Sequence, residues 1–252
     1  MASTGKTVVI TGAGHGIGRA TARRFAAHGA QLVLGDFNED TLADAAEEAG
    51  SAGATVLPVL FDQRSSTDAT SLIDAALERF GRIDVLATVA GIYPFAAAPA
   101  TSDELWADVL ATNLTGVFYC CRAALPAMVA AGGGCIVTVS SGVAEIPYAG
   151  SAAYSASKGG IESLSRVLAK EGAPTVRVNT VAPGPTETWP HDPDDTVADN
   201  PLTAAAKIID GVPLARWGQP EEIADAIAFL SSDQASFITG QVIRVNGGNH
   251  MA

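Results

Sequence analysis

The sequence predicts an α/β fold: a doubly wound three-layer sandwich in which helices cover both faces of a central parallel sheet of about seven strands. Short β-branched runs alternate with longer alanine-rich segments along the chain, and this alternation is typical of strand–helix–strand units. The 252 residues are enough to bury one large core, and no internal repeat or linker divides them. We therefore expect a single domain over residues 1–252.

The predicted elements follow one another as strand and helix pairs. The first four strands are "KTVVIT", "QLVLGD", "ATVLPVLFD" and "IDVLATVAG", and the later three are "GCIVTVSS", "TVRVNTVAPG" and "GQVIRVNGG". The segments "GRATARRFAAHG", "DTLADAAEEAG" and "STDATSLIDAALERFG" predict the early helices, and residues 113–131, 153–170 and 220–231 predict the later ones. Repeated prolines interrupt this rhythm at about residues 185–210, where we expect a lid over a site.

Composition restricts the classes of function that the chain can have. The formal net charge of −12 disfavours binding to nucleic acid and to anionic membrane surfaces. No apolar run reaches the roughly 20 residues that cross a bilayer, and the N-terminus turns to glycine before a signal-peptide apolar region could form. The three cysteines lack the spacing of a disulfide framework or a metal site, so we predict reduced thiols and no metal. A cytoplasmic protein with a small-molecule substrate fits best.

A glycine-rich turn joins the first predicted strand to the first helix. It reads "TGAGHGIG" from Thr11 to Gly18. Gly12, Gly16 and Gly18 would let the turn tighten, let a phosphate approach the backbone and let the helix pack closely on the sheet. The free N–H groups at the helix N-terminus favour a pyrophosphate there. The order of strand, loop and helix predicts a Rossmann-type dinucleotide site.

An acidic residue, Asp36 in "LVLGDF", closes the second predicted strand about 20 residues beyond that loop. A carboxylate there can accept hydrogen bonds from both hydroxyls of an adenosine ribose, and it repels the 2′-phosphate of the phosphorylated cofactor. The sequence therefore predicts NAD in preference to NADP. His15 is an opposing feature, because a cationic residue at that place in the loop could help to hold a 2′-phosphate.

Further motifs occur in a characteristic order. Tyr154 and Lys158 lie four residues apart in "SAAYSASKGG", so on a helix they share one face. Two serines precede them, "NLTG" begins at Asn113, and "AG" and "PG" follow two of the predicted strands. Together these motifs resemble the short-chain dehydrogenase/reductase family over essentially the whole chain. One departure is Val89 in "TVAG", where many members carry an asparagine that ties the central strands together.

The resemblance implies a catalytic set of four residues. Tyr154 would be the general acid/base that exchanges a proton with the substrate oxygen while the cofactor exchanges hydride at carbon. Lys158 would bind the nicotinamide ribose and lower the pKa of the phenol, because an unperturbed tyrosine is a poor base at neutral pH. Ser141, thirteen residues before Tyr154, would orient the substrate oxygen, and Asn113 would hold a water that relays protons from Lys158.

The resemblance also implies the cofactor contacts. Asp62 and Gln63 correspond to a pair beside the adenine, and the turn at Ala90 and Gly91 to the floor beneath the adenosine ribose. The segment from Pro183 to Thr188 corresponds to the part that holds the nicotinamide carboxamide. The full predicted set is Gly12, His15, Gly16, Ile17, Gly18, Asp36, Phe37, Asp62, Gln63, Ala90, Gly91, Tyr154, Lys158, Pro183, Gly184, Thr186 and Thr188.

Apolar side chains near the predicted oxygen site suggest a free, uncharged substrate. Tyr93 and Ile146 are available to line an apolar pocket. The predicted substrate contacts are Ser141, Tyr148, Tyr154 and Trp189. The lid segment is acidic and has no basic residue before Lys207, which disfavours acyl groups carried by an acidic protein. We expect a secondary alcohol or ketone of alicyclic or terpenoid character.

Two other functions stay open at this point. One is an NADPH-dependent ketone or 3-oxoacyl reductase of the same fold. The other is a non-enzymatic NAD-sensing protein, which would be expected to have lost a catalytic group. Small apolar residues on more than one face of the helices at 113–131 and 153–170 suggest burial against a partner subunit, and the resemblance implies a homotetramer.

Overall fold

A computed structural model describes residues 5–188, 209 and 211–251 of the 252-residue chain. Its centre is a seven-stranded parallel sheet with the strand order β3-β2-β1-β4-β5-β6-β7. The strands are β1 (Thr7–Thr11), β2 (Gln31–Asp36), β3 (Thr55–Leu60), β4 (Val85–Thr88), β5 (Gly134–Val139), β6 (Val176–Pro183) and β7 (Val242–Val245). The predicted α/β fold and its doubly wound parallel sheet are confirmed.

Helices cover both faces of the sheet. They are α1 (Gly16–Ala26), α2 (Glu39–Ser51), α3 (Ser66–Phe80), α4 (Asp103–Leu110), α5 (Gly116–Ala130), α6 (Ala152–Gly172) and α7 (Pro220–Leu230). Short 3-10 turns lie at Ala98–Ala100, Gly142–Ala144 and Asp233–Ala235. Most helices begin where the sequence offers a cap, such as the side chains of Asn38 before α2 and Ser65 before α3, which accept hydrogen bonds from backbone N–H groups of the first turn.

Two hydrophobic cores lie on opposite faces of the sheet because successive side chains of a strand alternate in direction. In β1, Val8 and Ile10 pack with α1, α2 and α7, whereas Val9 packs with α3, α5 and α6. Both faces of the central strands are therefore buried, which is why the strands are continuous apolar runs in the sequence. The described cysteines Cys120, Cys121 and Cys135 are free and buried in these cores, as predicted, and burial raises the pKa of each thiol.

One predicted helix has the wrong start. The sequence pattern predicts a helix from residue 113, but the chain is already helical from Asp103. The Ser102 side chain accepts a hydrogen bond from the N–H of Leu105, and Asp103 and Glu104 supply acidic groups to the first turn, so the start signal precedes the apolar run by ten residues. A π-helical turn at Ala111–Thr115 then joins α4 to α5.

The π-helical turn gives Asn113 its position. A π turn widens the helix by one residue and is frequent at functional sites. Asn113 lies in the middle of this turn and is completely buried. None of the helices in the described part of the chain combines the length and the apolar character that a membrane crossing requires.

Candidate active site

The predicted site residues converge at the carboxyl ends of the central strands. The strand order reverses between β1 and β4, and in such sheets the crevice outside this switch point is the usual ligand site. The glycine loop follows β1, Ala90 follows β4, Ser141 follows β5 and Gly184 follows β6. Residues that are far apart in the sequence are therefore brought to one edge of the sheet.

The glycine loop is built for close approach of backbone. Gly12 has φ +70° and Gly16 has φ +46°, conformations that side chains disfavour. A Cβ at Gly18 would lie 1.9 Å from the carbonyl oxygen of Gly12, and a Cβ at Gly12 would lie 2.7 Å from the Cα of Ala90. In the described chain no side chain caps α1 at His15, so its N-terminal N–H groups face the loop. This cradle fits the pyrophosphate of a dinucleotide.

Asp36 is held rigidly at the end of β2. Its carboxylate accepts hydrogen bonds from the N–H of Gly14 at 2.9 Å and from the N–H of Asn38 at 3.1 Å, and the residue is 7% exposed. Each carboxylate oxygen keeps a further lone pair, which could accept a ribose hydroxyl. Phe37 beside it is 78% exposed. His15 is exposed on the loop.

The basic residues on the outer side of α1 are already paired. Arg19 binds Glu48 with 2.7 Å between nitrogen and oxygen, and Arg23 binds both Glu48 and Glu221. The hydrogen bonds from Arg19 and Arg23 hold the pKa of Glu48 below its usual value against the opposing effect of burial. These guanidinium groups are thus neutralised by carboxylates beside the loop.

The side chain of Gln63 has hydrogen-bond partners inside the protein. The residue is 5% exposed, and its amide is used inside the protein. The amide nitrogen donates to the carbonyl oxygens of Ala90 (3.1 Å) and Thr112 (2.8 Å), and the amide oxygen accepts from the hydroxyl of Thr11 (2.8 Å). Both N–H groups of this amide are therefore used inside the protein, and an adenine contact of Gln63 stays a prediction.

Gln63 supplies the tie between strands that Val89 puts in doubt. The Thr11 hydroxyl that donates to Gln63 also accepts from the N–H groups of Val89 and Ala90. The ends of β1 and β4 are therefore joined through one hydroxyl and one amide. Next to Gln63, the Asp62 carboxylate is bound by Arg64, whose hydrogen bond lowers the pKa of that carboxyl. An adenine contact of Asp62 stays a prediction.

Two of the four predicted catalytic residues lie near the start of α6. Tyr154 is in its first turn, and Lys158 lies one turn further, with its ammonium nitrogen 5.7 Å from the centroid of the Tyr154 ring. Lys158 is 4% exposed and donates a 2.8 Å hydrogen bond to the carbonyl oxygen of Val139. Ser141 hydrogen-bonds the Tyr154 phenol from the loop after β5. Two of the predicted catalytic residues, Ser141 and Lys158, therefore lie beside the side chain of Tyr154.

Burial is the largest influence on the pKa of the Tyr154 phenol in this structure, and the lowering by Lys158 stays a prediction. Burial dominates and raises the pKa of Tyr154 to about 12, although the hydrogen bond with Ser141 lowers it. Burial also lowers the pKa of Lys158 to about 8. The physical reason is that both groups are removed from water, and desolvation disfavours the charged form of each.

Asn113 pins the turn that follows β4. Its side-chain oxygen accepts from the N–H of Ile92 at 2.8 Å, and its nitrogen donates to the carbonyl oxygen of Ile92 at 2.7 Å and to the Ser157 hydroxyl at 3.2 Å. A Cβ at Gly91 would lie 3.1 Å from the side-chain oxygen of Asn113 and 3.5 Å from the nitrogen of Lys158. The side chain therefore has a structural task beside Lys158, and the predicted water relay stays a prediction.

Aromatic side chains form a wall beside Tyr154. The ring of Tyr93 lies 6.2 Å from that of Tyr154, and the rings of Phe95 and Tyr148 lie 5.4 Å apart. The N–H of Ala96 donates to the carbonyl oxygen of Gly150 at 3.0 Å, which joins the loop after β4 to the loop before α6. Ile146, also predicted for this wall, is exposed in the same loop as Tyr148.

The segment after β6 completes the crevice opposite this wall. A Cβ at Gly184 would lie 2.6 Å from the Cα of Asn246, so only glycine fits there. Thr186 forms a parallel bridge with Gly218. A Cβ at Gly16 would lie 3.1 Å from the Cβ of Thr188, which places this segment against the glycine loop. Trp189 and most of the predicted lid at 185–210 lie outside the described residues.

Sequence reasoning missed a charged cluster behind the serine loop. Glu145, four residues beyond Ser141, accepts from Arg244 of β7 at 2.9 Å and lies 2.7 Å from the ring nitrogen of His250. The hydrogen bond from Arg244 is the main cause of a lowered pKa at Glu145. These residues are about 100 positions apart, and no local pattern in the sequence signals such a contact.

A second missed contact lies under Lys158. Ser140 is within hydrogen-bond distance of the carbonyl oxygen of Lys158 (3.1 Å) and of a carboxylate oxygen of Glu162 (3.0 Å). Glu162 is buried one turn beyond Lys158, and burial raises its pKa. The first serine of "SS" therefore fixes the loop to α6, which leaves Ser141 as the serine that faces Tyr154.

Comparison with known proteins agrees with this geometry. A family profile described as enoyl-(acyl carrier protein) reductase matches residues 12–250. The chain is 37% identical over 249 residues to the 3-oxoacyl-[acyl-carrier-protein] reductase of Thermotoga maritima, covering 98% of this chain and 99% of that protein. The chain belongs to the short-chain dehydrogenase/reductase family.

Other members of the short-chain dehydrogenase/reductase family are similar over the same length. The chain is 41% identical over 245 residues to the cis-4-hydroxycyclohexanecarboxylate dehydrogenase of Sinomonas cyclohexanicum, covering 96% of each protein. The solved structure of NAD⁺-bound xylitol dehydrogenase matches with a TM-score of 0.92 at 31% identity, covering 98% of this chain and 100% of that one. The chain is therefore an oxidoreductase of this family that acts on alcohols or ketones.

Proposed function

We propose that this short-chain dehydrogenase/reductase oxidises a small, uncharged secondary alcohol with NAD. The observation that carries the choice of cofactor is the fixed carboxylate of Asp36 at the end of β2. A 2′-phosphate placed there would meet a buried negative charge, while the nearby cations Arg19 and Arg23 are paired with Glu48. The similarity to an NAD⁺-bound xylitol dehydrogenase supports the same choice.

The proton chemistry falls to Tyr154 and its neighbours. A nicotinamide cofactor, held by the glycine loop and Asp36, would supply an acceptor for the hydride of the alcohol carbon. Tyr154 takes the proton of the alcohol hydroxyl, and the Ser141 hydroxyl holds the same oxygen. Because burial raises the pKa of Tyr154 to about 12, its anionic form needs the hydrogen bond of Ser141 and the positive charge of Lys158 below the ring.

A cofactor titration tests the proposal. We expect NADH to bind at least about tenfold more tightly than NADPH, since a buried carboxylate facing a phosphate costs several times the thermal energy. Asp36→Asn keeps an oxygen for the N–H of Gly14 but removes the charge, so the preference should shrink. Tighter binding of NADPH to the wild-type protein would overturn the assignment. Fluorescence of the reduced nicotinamide reports both affinities.

The second candidate is an NADPH-dependent 3-oxoacyl reductase of the same fold. The similarity to a 3-oxoacyl-[acyl-carrier-protein] reductase and the exposed His15 on the glycine loop favour it. The net charge of −12 opposes it, because an acidic carrier protein would be repelled. Reduction of acetoacetyl-coenzyme A with NADPH, compared with oxidation of cyclohexanol with NAD, separates the two candidates.

We further propose that the chain assembles as a homotetramer and works in the cytoplasm. Large apolar side chains are exposed on the helices of one face: Trp106 on α4, Phe118 and Val129 on α5, and Val167 on α6. Such a concentration on adjacent helices is typical of subunit contacts. Size-exclusion chromatography with light scattering is expected to give four times the mass of the chain, and a monomer at micromolar concentration would refute the assembly.

A further inference from the structure

Tyr148 stands on the aromatic wall of the site with a firmly placed backbone. The buried hydroxyl of Ser151 donates to the carbonyl oxygen of Tyr148 at 2.7 Å, and the N–H of Ser151 donates to the same oxygen at 3.1 Å. Ser151 also bonds Ser155 in the first turn of α6 at 2.8 Å. The main chain of Tyr148 is therefore anchored to the turn of helix that carries Tyr154.

The Tyr148 ring is supported from the opposite loop. It lies 5.4 Å from the ring of Phe95, tilted by 37°, and the bond from Ala96 to Gly150 joins the two loops next to this contact. Gly150 has φ +90°, and a Cβ there would lie 3.8 Å from the carbonyl carbon of Ala96. Backbone and ring are thus both held, so the position of the phenol end is defined by packing.

The Tyr148 side chain belongs to the aromatic wall beside Tyr154. The rings of Tyr93 and Tyr154 lie 6.2 Å apart, and Tyr148 and Tyr93 both raise the pKa of Tyr154 electrostatically, although burial is the larger cause. Tyr148 is 46% exposed, which leaves its hydroxyl open to a ligand. Partial burial raises the pKa of Tyr148 as well, so it stays a neutral phenol that can both donate and accept a hydrogen bond.

We propose that the Tyr148 hydroxyl binds a second oxygen of the substrate, so that the preferred substrate is a ring-bearing diol or hydroxyketone rather than a simple alcohol. This inference rests on the proposed function, in which Tyr154 and Ser141 hold the reacting oxygen. Phe95 supplies an apolar surface next to the second oxygen, which suits the carbon ring between the two oxygens. The neutral phenol suits a hydroxyl or keto oxygen.

The test compares cyclohexanol with cis-1,2- and cis-1,4-cyclohexanediol as substrates. The wild-type enzyme is expected to oxidise at least one of the diols with a higher kcat/KM than cyclohexanol. Tyr148→Phe keeps the ring contact with Phe95 and removes only the hydroxyl. It should lower kcat/KM for the preferred diol by about tenfold more than for cyclohexanol, the effect of losing one well-placed hydrogen bond.

Tyr119→Phe is the matched control, because Tyr119 lies on α5 and its ring contacts that of Phe118, tilted by 50°, and not the aromatic wall beside Tyr154. Tyr119→Phe should leave kcat/KM unchanged for both the diol and cyclohexanol. An equal loss for cyclohexanol and diol in Tyr148→Phe would assign Tyr148 to ring packing alone, and no loss for either would exclude the contact; both results overturn this inference and leave the proposed function intact. If the wild-type enzyme oxidises none of the three alcohols with NAD or NADP, the proposed function and this inference fail together.

Discussion

The adenosine side of the crevice is formed mainly by closely packed backbone, whereas the substrate side is formed mainly by side chains. On the adenosine side, the glycine loop and Asp36 are placed by backbone contacts so close that a single methyl group would not fit at Gly18. On the substrate side, the side chains that we propose to contact the substrate, Ser141, Tyr148 and Tyr154, lie on or beside loops. Substitutions on the adenosine side should therefore act by forcing the backbone apart. Substitutions on the substrate side should act by removing a functional group while the fold stays intact.

The largest expected effect is on the substrate side. Tyr154→Phe removes one hydroxyl and should lower kcat by about 10³-fold, the usual contribution of a positioned general acid or base. The affinity for NADH should stay unchanged, because the ring and the glycine loop are intact. Steady-state oxidation and a fluorescence titration of NADH measure the two quantities. Turnover that survives the substitution would contradict the assignment of Tyr154.

On the adenosine side, the largest effect is expected from a side chain introduced at Gly18. A Cβ there would lie 1.9 Å from the carbonyl oxygen of Gly12, so Gly18→Ala forces the loop apart and should lower the free energy of unfolding by about 3 kcal/mol. Binding of NADH should be lost as well. Gly50→Ala is the control: it lies in α2 with nothing within 4 Å of its Cβ, and it should raise stability by about 0.5 kcal/mol. Urea unfolding measures both free energies, and an equal change in the two variants would contradict the steric explanation for Gly18.

Lys158 is a residue of the substrate side whose buried charge should lower the stability of the folded protein. Its pKa falls from 10.5 to about 8 in the folded state. Below pH 8 both states hold the proton and the folded protein carries the full desolvation penalty, whereas between pH 8 and 10.5 the stability of the wild type rises with pH. Lys158→Met should thus raise the free energy of unfolding at pH 7 on the order of 2 kcal/mol and abolish turnover.

Denaturant unfolding of Lys158→Met and wild type at pH 7 and pH 10 measures this difference. The stability advantage of the variant should shrink at pH 10, where the wild-type lysine in the folded protein has lost its proton. An advantage of the same size at both pH values would show that packing, and not charge, separates the two proteins.

The smallest expected effect is at the charged cluster behind the serine loop. Glu145→Gln leaves the packing in place but removes the ion pair with Arg244 and the carboxylate contact with the His250 ring. Because these groups are partly exposed, stability should fall by less than about 1 kcal/mol. The loop of Ser141 should loosen, so KM should rise more than kcat falls. Equal kinetics in variant and wild type at low and high salt would exclude a positioning role.

The two sides also differ in how far the sequence predicts them. Gly18, Asp36 and the Tyr154–Lys158 pair sit in short motifs whose spacing reflects local geometry, and so their places could be anticipated. The start of α4 could have been found from Ser102 and the acids after it. The contact of Glu145 with Arg244 could not, because it depends on how β7 lies against the serine loop. The desolvation that dominates the pKa of Tyr154 likewise depends on the packed structure.

Gln63 shows why this chain can lack an asparagine at Val89 without losing the architecture of the crevice. Its amide reaches three segments that are 27, 49 and 52 positions away in the chain. The tie between the ends of the central strands is therefore made by a side chain from the segment after β3 together with the Thr11 hydroxyl, so the crevice keeps its shape with an apolar residue at position 89.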